Sequence, residues 1–150
     1  MRIATRSIAA CASSLLMALA TMATVTFAQT PTQSLKDRLV GHWQLVTVTI
    51  NNTSPFGAKP QGSMFLDAGG HYSVVVITSG NERNIAYFGT YTVNDADSSM
   101  TMHVDSSSRP NTIGRDEKRF ISFNGNELIV SIQKTPGPLG GVNLTWQQAN

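Results

Sequence analysis

Between residues 42 and 147 the chain repeats one pattern eight times: a short run rich in β-branched and aromatic residues, then a cluster of turn formers. His42–Ile50 ends in Asn51-Asn52-Thr53-Ser54-Pro55, and Ser63–Leu66 ends in Asp67-Ala68-Gly69-Gly70. Tyr72–Thr78 carries Val74-Val75-Val76-Ile77, and Tyr87–Val93 precedes Asn94-Asp95-Ala96-Asp97. Ser99–Asp105 follows, then Lys118–Phe123 and Glu127–Ile132 around Asn124-Gly125, then Val142–Gln147 after a Pro-Gly-Pro-Leu-Gly-Gly loop. Residues of this kind fit a pleated, half-buried surface, and Gly, Asn and Asp accept the backbone angles that tight turns need. No helical period lies between the segments, which argues against α/β units. The pattern predicts an all-β fold, a single antiparallel up-and-down β-barrel of about eight strands. Eight strands close around an interior that is either filled or holds one small ligand. A β-sandwich is the alternative, because strand patterning alone does not show closure.

One short helix precedes the strands. Ser34 is placed to cap Leu35–Val40, with Asp37 three residues on in the acidic position of a capping box, and Gly41 stops it. The first residues read as an export signal. Arg2 and Arg6 form a positive n-region, Ile8 through Phe27 are mostly apolar or small, and Thr26-Phe27-Ala28 fits a signal peptidase site. The expected organisation is a signal peptide over 1–28, a flexible polar lead-in over 29–34 and a barrel domain over 35–150. The expected location is periplasmic or secreted, with no membrane span after cleavage.

Cleavage would change what the composition means. Removing 28 of 150 residues leaves 122, and Arg2, Arg6 and the single cysteine, Cys11, leave with the signal. Eleven basic residues then become nine, against nine acidic ones. The basicity belongs to the signal and gives no reason to expect nucleic acid as a partner. Without a thiol the domain has no disulfide, thiolate metal site or cysteine nucleophile. His42, His71 and His103 lie on separate strands without the paired spacing of a zinc site, so neither a metal nor another cofactor is expected.

A family resemblance enters at Gly41-His42-Trp43, where a short helix leads into Gly-x-Trp on the first strand. With Pro60-Gln61-Gly62-Ser63-Met64-Phe65, Gly70-His71-Tyr72-Ser73-Val74, Gly89-Thr90-Tyr91-Thr92-Val93, His103 through Arg119, and Leu144-Thr145-Trp146, the chain resembles the bacterial and fungal lipocalin-like domain family. The resemblance spans about residues 35–147. It implies a calycin-type barrel and a ligand-binding habit. Gln147 follows Trp146 where a basic residue is more typical, which puts a barrel-closing cation contact in doubt.

The candidate ligand-binding residues are Trp43, Tyr72, Tyr91, His103, Arg119 and Trp146. Trp43 and Trp146 lie on the first and last strands, neighbours in a closed barrel, and either plug its closed end or wall a ligand. His103 and Asp105 share a strand face because side chains repeat every two residues, and Arg119 on the next strand is within reach of that face. If the face points inward, Asp105 pairs with Arg119 and His103 is left for a ligand; otherwise Met100, Met102 and Val104 form the core and His103 is solvated. Arg115-Asp116-Glu117-Lys118-Arg119 as a run reads as a solvated strand entry. Gly89, Tyr91 and Val93 share a face able to line a cavity.

No catalytic residue is assigned. Asp105 is badly placed to orient His103 along one strand, and Ser106-Ser107-Ser108 reads as a flexible connection. The leading expectation is an exported protein binding a small hydrophobic or amphipathic molecule in the barrel lumen. The alternatives are a filled structural or protein-interaction barrel, and an isomerase or cyclase in which His103 or Tyr91 moves a proton. The sequence leaves the oligomeric state open.

Overall fold

Ser34 caps the first helix as its residue type dictates. In the computed structural model, which describes residues 33–78, 84–133 and 141–149, helix α1 spans Leu35–Leu39. The Ser34 hydroxyl accepts the Asp37 N–H at 3.1 Å and donates to the Asp37 carboxylate at 2.7 Å. Five residues cannot hold a helix by propensity alone. Tertiary contacts do so here: Leu39 is fully buried in the core, the Leu35 N–H donates to the Asp95 carboxylate at 3.1 Å, and the Arg38 guanidinium lies 3.7 Å over the Phe123 ring. The expected signal segment lies outside the described residues. Among those described, no helix is long and apolar enough to cross a membrane.

Eight strands follow: β1 (Gly41–Ile50), β2 (Gln61–Leu66), β3 (His71–Ile77), β4 (Ile85–Asn94), β5 (Ser99–Ser107), β6 (Asp116–Asn124), β7 (Glu127–Ser131) and β8 (Val142–Gln148). Each pairs antiparallel with the next, and β8 returns to β1, so the sheet closes into a barrel in strict sequence order. Closure is carried by pairs from Trp43 opposite Gln148 to Ile50 opposite Val142. The sandwich alternative is thereby excluded. Every strand anticipated from the sequence is present, with ends displaced by at most two residues.

Alternation decides what fills the interior. Trp43, Met64, Leu66, Tyr72, Val74, Val76, Tyr91, Met100, Met102, Leu128 and Trp146 all turn inward and are almost wholly buried. Two irregularities break the alternation. Between β1 and β8 the register shifts between Leu45 and Thr47, so Leu45 and Val48, three apart, both face inward. Between β4 and β5, Gly89 pairs with Val104 but Phe88 pairs with Ser106, leaving Asp105 as an extra residue. Such a bulge re-aims everything beyond it.

Gly89 is what permits the second irregularity: a Cβ there would overlap the His103 carbonyl oxygen and lie 2.9 Å from the Asp105 nitrogen. The β6–β7 hairpin corrects one expectation in detail. Asn124 pairs with Glu127, so the two turn residues are Gly125 and Asn126 rather than Asn124 and Gly125. The positive φ falls on Gly125, at +59°, the first turn position, where a II′ turn requires glycine.

Candidate functional site

The barrel interior divides into a filled half and a hollow half. At the end where β1 begins, α1 packs across the barrel and the two tryptophans fill it. The Trp43 indole N–H donates to the Leu39 carbonyl at 2.8 Å, tying the plug to the helix. Trp146 pairs with Leu45 on one side and Leu128 on the other. Both rings are buried, Trp43 2% and Trp146 1% exposed. Each buries roughly 150–250 Å², so together they stabilise that end by several kcal/mol at about 25 cal/mol per Å². They act as core, and neither lines the cavity described next.

At the opposite end the lumen holds a cavity of about 270 Å³. Its wall is mostly aliphatic: Val48 and Ile50 from β1, Val76 from β3, Ile85 from β4, Val104 from β5, and Val142 and Leu144 from β8. Phe56, from the connection after β1, and Ile132 add to the wall. Set into this surface are Tyr87, Ser107, Glu117 and Arg119, with Arg109 and Thr112 at the rim. A few convergent polar groups in an apolar concavity are what a small-molecule site requires.

The polar groups come inward by strand register. Residues directly opposite on paired strands share a face. Arg119 pairs with Met100 and Glu117 with Met102, both core residues, so both charged side chains enter the lumen. Their side chains are 13% and 25% exposed. Arg119 Nη2 donates to the Glu117 carboxylate, and Nη1 to the Lys118 carbonyl at 3.0 Å. A charge held inside such a wall needs a partner, and each supplies the other's. The mixed-charge run is therefore a solvated strand entry only in its alternate residues: Asp116 and Lys118 are exposed, whereas Glu117 and Arg119 face the cavity.

Tyr87 stands beside this pair. Burial pushes its phenol above the ordinary tyrosine range, and the nearby Arg119 partly opposes that rise. Tyr72 meets Tyr87 edge-on, with ring centroids 5.7 Å apart. Its hydroxyl donates to the His103 carbonyl at 3.2 Å, and desolvation again raises its pKa. Tyr72 thus buttresses Tyr87 and does not itself line the cavity. Tyr91 lies towards the plugged end, where its hydroxyl donates to the Asp67 carbonyl at 2.7 Å. Desolvation raises it also.

His103 lies outside the barrel. Because Met100, Met102 and Val104 are 0–1% exposed, the alternate residues Thr101, His103 and Asp105 face outward. The His103 Nδ1 is 2.7 Å from the Asp116 carboxylate and its Nε2 3.8 Å from that of Asp105. The anticipated Asp105–Arg119 pair does not form, since the two residues are on opposite faces of the sheet. His103 and Tyr91 are separated likewise, so the fold does not bring together the two groups of the proton-transfer alternative. Of the six candidates, Arg119 alone lines the cavity.

Tyr87, Glu117, Ser107 and Arg109 were not singled out from the sequence. Tyr87 shares the parity of Gly89 and Tyr91, and Glu117 that of Arg119, so both signals were present. Ser107 was not readable, because it turns inward only through the bulge at Asp105. Ser108, next in the run, is a structural tie: it donates to the Asn84 carbonyl at 3.1 Å and accepts the Ala86 N–H at 3.0 Å. Among the described residues no group of three His, Cys, Asp or Glu side chains is arranged to hold a metal.

No curated protein matches the chain. A family model described as a lipocalin-like domain matches residues 77–149, from the last residue of β3 through β8. Over that span, within a closed eight-stranded barrel, the chain matches the lipocalin-like domain family that its ordered motifs resemble.

Proposed function

We propose that this protein is an exported lipocalin-type carrier, or sensor, of one small and largely apolar molecule. The ligand lies in the hollow half of the barrel, its body against Val48, Val104 and Leu144 and its polar end at Tyr87, Glu117 and Arg119. The observation that carries this reading is the 270 Å³ cavity with an ion pair set into an aliphatic wall. A barrel evolved only as a scaffold would gain by filling that space, since cavities cost stability in proportion to their size. It would gain again by replacing the charges with aliphatic side chains. Export rests on the charge, apolar stretch and cleavage site of residues 1–28.

Native mass spectrometry on protein purified from its host's export compartment tests this function. The expected result is a co-purifying small molecule, released on denaturation, and an N-terminus at Gln29. The variant Leu144→Trp, which fills the cavity, should lose that molecule. A clean apo mass that stays unchanged after exposure to a metabolite extract would overturn the binding role. Recovery of the protein only from the cytoplasm, with residues 1–28 intact, would overturn export.

One observation favours a second reading. Phe65 and Phe88 are 51% and 53% exposed and flank Ser73 in one outward row across β2, β3 and β4. His42 stacks on Phe65 at 4.1 Å. An apolar outer patch of this kind suits a protein contact. A protein that bound nothing in its lumen but lost an association on Phe65→Ser and Phe88→Ser substitution would favour that role.

A further inference from the structure

The lumen carries a cation and an anion that neutralise each other, and this restricts the head group it accepts. The third charged residue beside the cavity, Arg109, is exposed at the rim, where water weakens its field. Deeper in, Arg119 and Glu117 form one neutral unit beside the neutral Tyr87 phenol. We infer that the ligand is an uncharged amphiphile of about ten heavy atoms whose head both donates and accepts hydrogen bonds, such as a primary alcohol or carboxamide. Glu117 is the residue that excludes carboxylates. This inference rests on the lumen being a ligand site.

The geometry gives the reason. A ligand carboxylate reaching Arg119 would also lie against the Glu117 carboxylate, in a space walled by Val104, Ile85 and Leu144. Two carboxylates sharing an apolar site cannot both stay ionised without strong cost. An ammonium head would meet the same objection from Arg119. A hydroxyl or amide avoids both, since it accepts from the guanidinium and donates to the carboxylate. A carboxylate has about four lone-pair sites and a guanidinium five N–H donors, so the pair keeps hydrogen-bonding capacity after binding itself. The size follows from the volume: an apolar cavity of about 150 Å³ takes one benzene, six heavy atoms, so a cavity of about 270 Å³ takes about ten.

Isothermal titration of the purified protein with octan-1-ol, octanamide, octanoate and octylammonium near neutral pH tests this. These ligands share one alkyl chain and differ at the head. The alcohol and amide should each bind at least tenfold more tightly than either ion. Glu117→Gln should then raise octanoate affinity at least tenfold relative to octanamide. Octanoate equalling or exceeding octanamide on the wild-type protein would overturn the neutral-head inference while leaving the lumen as a binding site, and that comparison needs no variant. An unchanged ratio in folded Glu117→Gln would overturn the role given to Glu117. Failure of all four to bind would overturn the lumen reading itself.

Discussion

Substituting Gly89 by alanine should damage the barrel more than the size of a methyl group suggests. The new Cβ would overlap the His103 carbonyl oxygen, with the Asp105 nitrogen at 2.9 Å and the His103 carbonyl carbon at 3.1 Å. All three are backbone atoms, so no side chain can rotate away and β5 itself must move. Overpacking of this kind costs about 1–3 kcal/mol. Moving the His103 carbonyl also breaks the hydrogen bond it accepts from Tyr72 at 3.2 Å, about 1 kcal/mol more. Alanine returns up to about 1 kcal/mol by restricting the unfolded chain. The net destabilisation is about 1–4 kcal/mol, a large share of the 5–15 kcal/mol typical of a domain. Urea unfolding followed by the fluorescence of buried Trp43 and Trp146 measures it. Tyr72→Phe supplies the control: it should cost about 1 kcal/mol in the wild type and much less beside Gly89→Ala, because the bond is already gone. A loss below about 0.5 kcal/mol, or additive losses from the two substitutions, would refute the account of the bulge.

The charge pair should behave as a unit. Arg119→Met alone leaves Glu117 unpaired in the lumen and should cost about 2–3 kcal/mol in urea unfolding, whereas Glu117→Leu with Arg119→Met should recover most of it. In an alkyl-alcohol series, affinity by isothermal titration should rise about fourfold per methylene, from roughly 0.8 kcal/mol each. The rise should stop near ten heavy atoms, when the cavity is full; an unbroken rise through much longer chains would argue for binding elsewhere. All three tyrosines of the chain have pKa values raised above 10.0 by burial. A phenol whose folded pKa is raised gives stability that is fully present below pH 10 and is lost as pH climbs through the folded value. Tyrosinate absorbance should therefore stay flat past pH 10 and appear together with unfolding, and a gradual native titration centred on 10 would contradict this.

The strands were legible because each obeys local chemistry: β-branched runs, then residues that turn. Ser34 and Asp37 marked α1 for the same reason. What alternation could not supply was the absolute face. Along β5, Met100-Met102-Val104 and Thr101-His103-Asp105 are both consistent faces; burial of the first set decides between them, and pairing with β6 says which face Arg119 joins. Once Met100 lies opposite Arg119, Arg119 must enter and His103 must leave. The cavity was less legible still. Ser107 reaches it through a one-residue bulge that Gly89 allows but does not announce. Glu117 sits in a run of charges that looks uniformly solvated, although strand geometry sends alternate members to opposite sides. The closing tryptophans were readable as neighbours, but their role as a plug depends on α1 folding over the barrel end.

The most direct test of the central claim is a methyl-labelled nuclear magnetic resonance titration of the protein with octanamide. Saturable shifts at Val48, Ile85, Val104 and Leu144, with Leu128 and Leu39 at the plugged end unmoved, are the result this account predicts. Shifts confined to the outer face around Val75, or none that saturate, would contradict a ligand in the lumen.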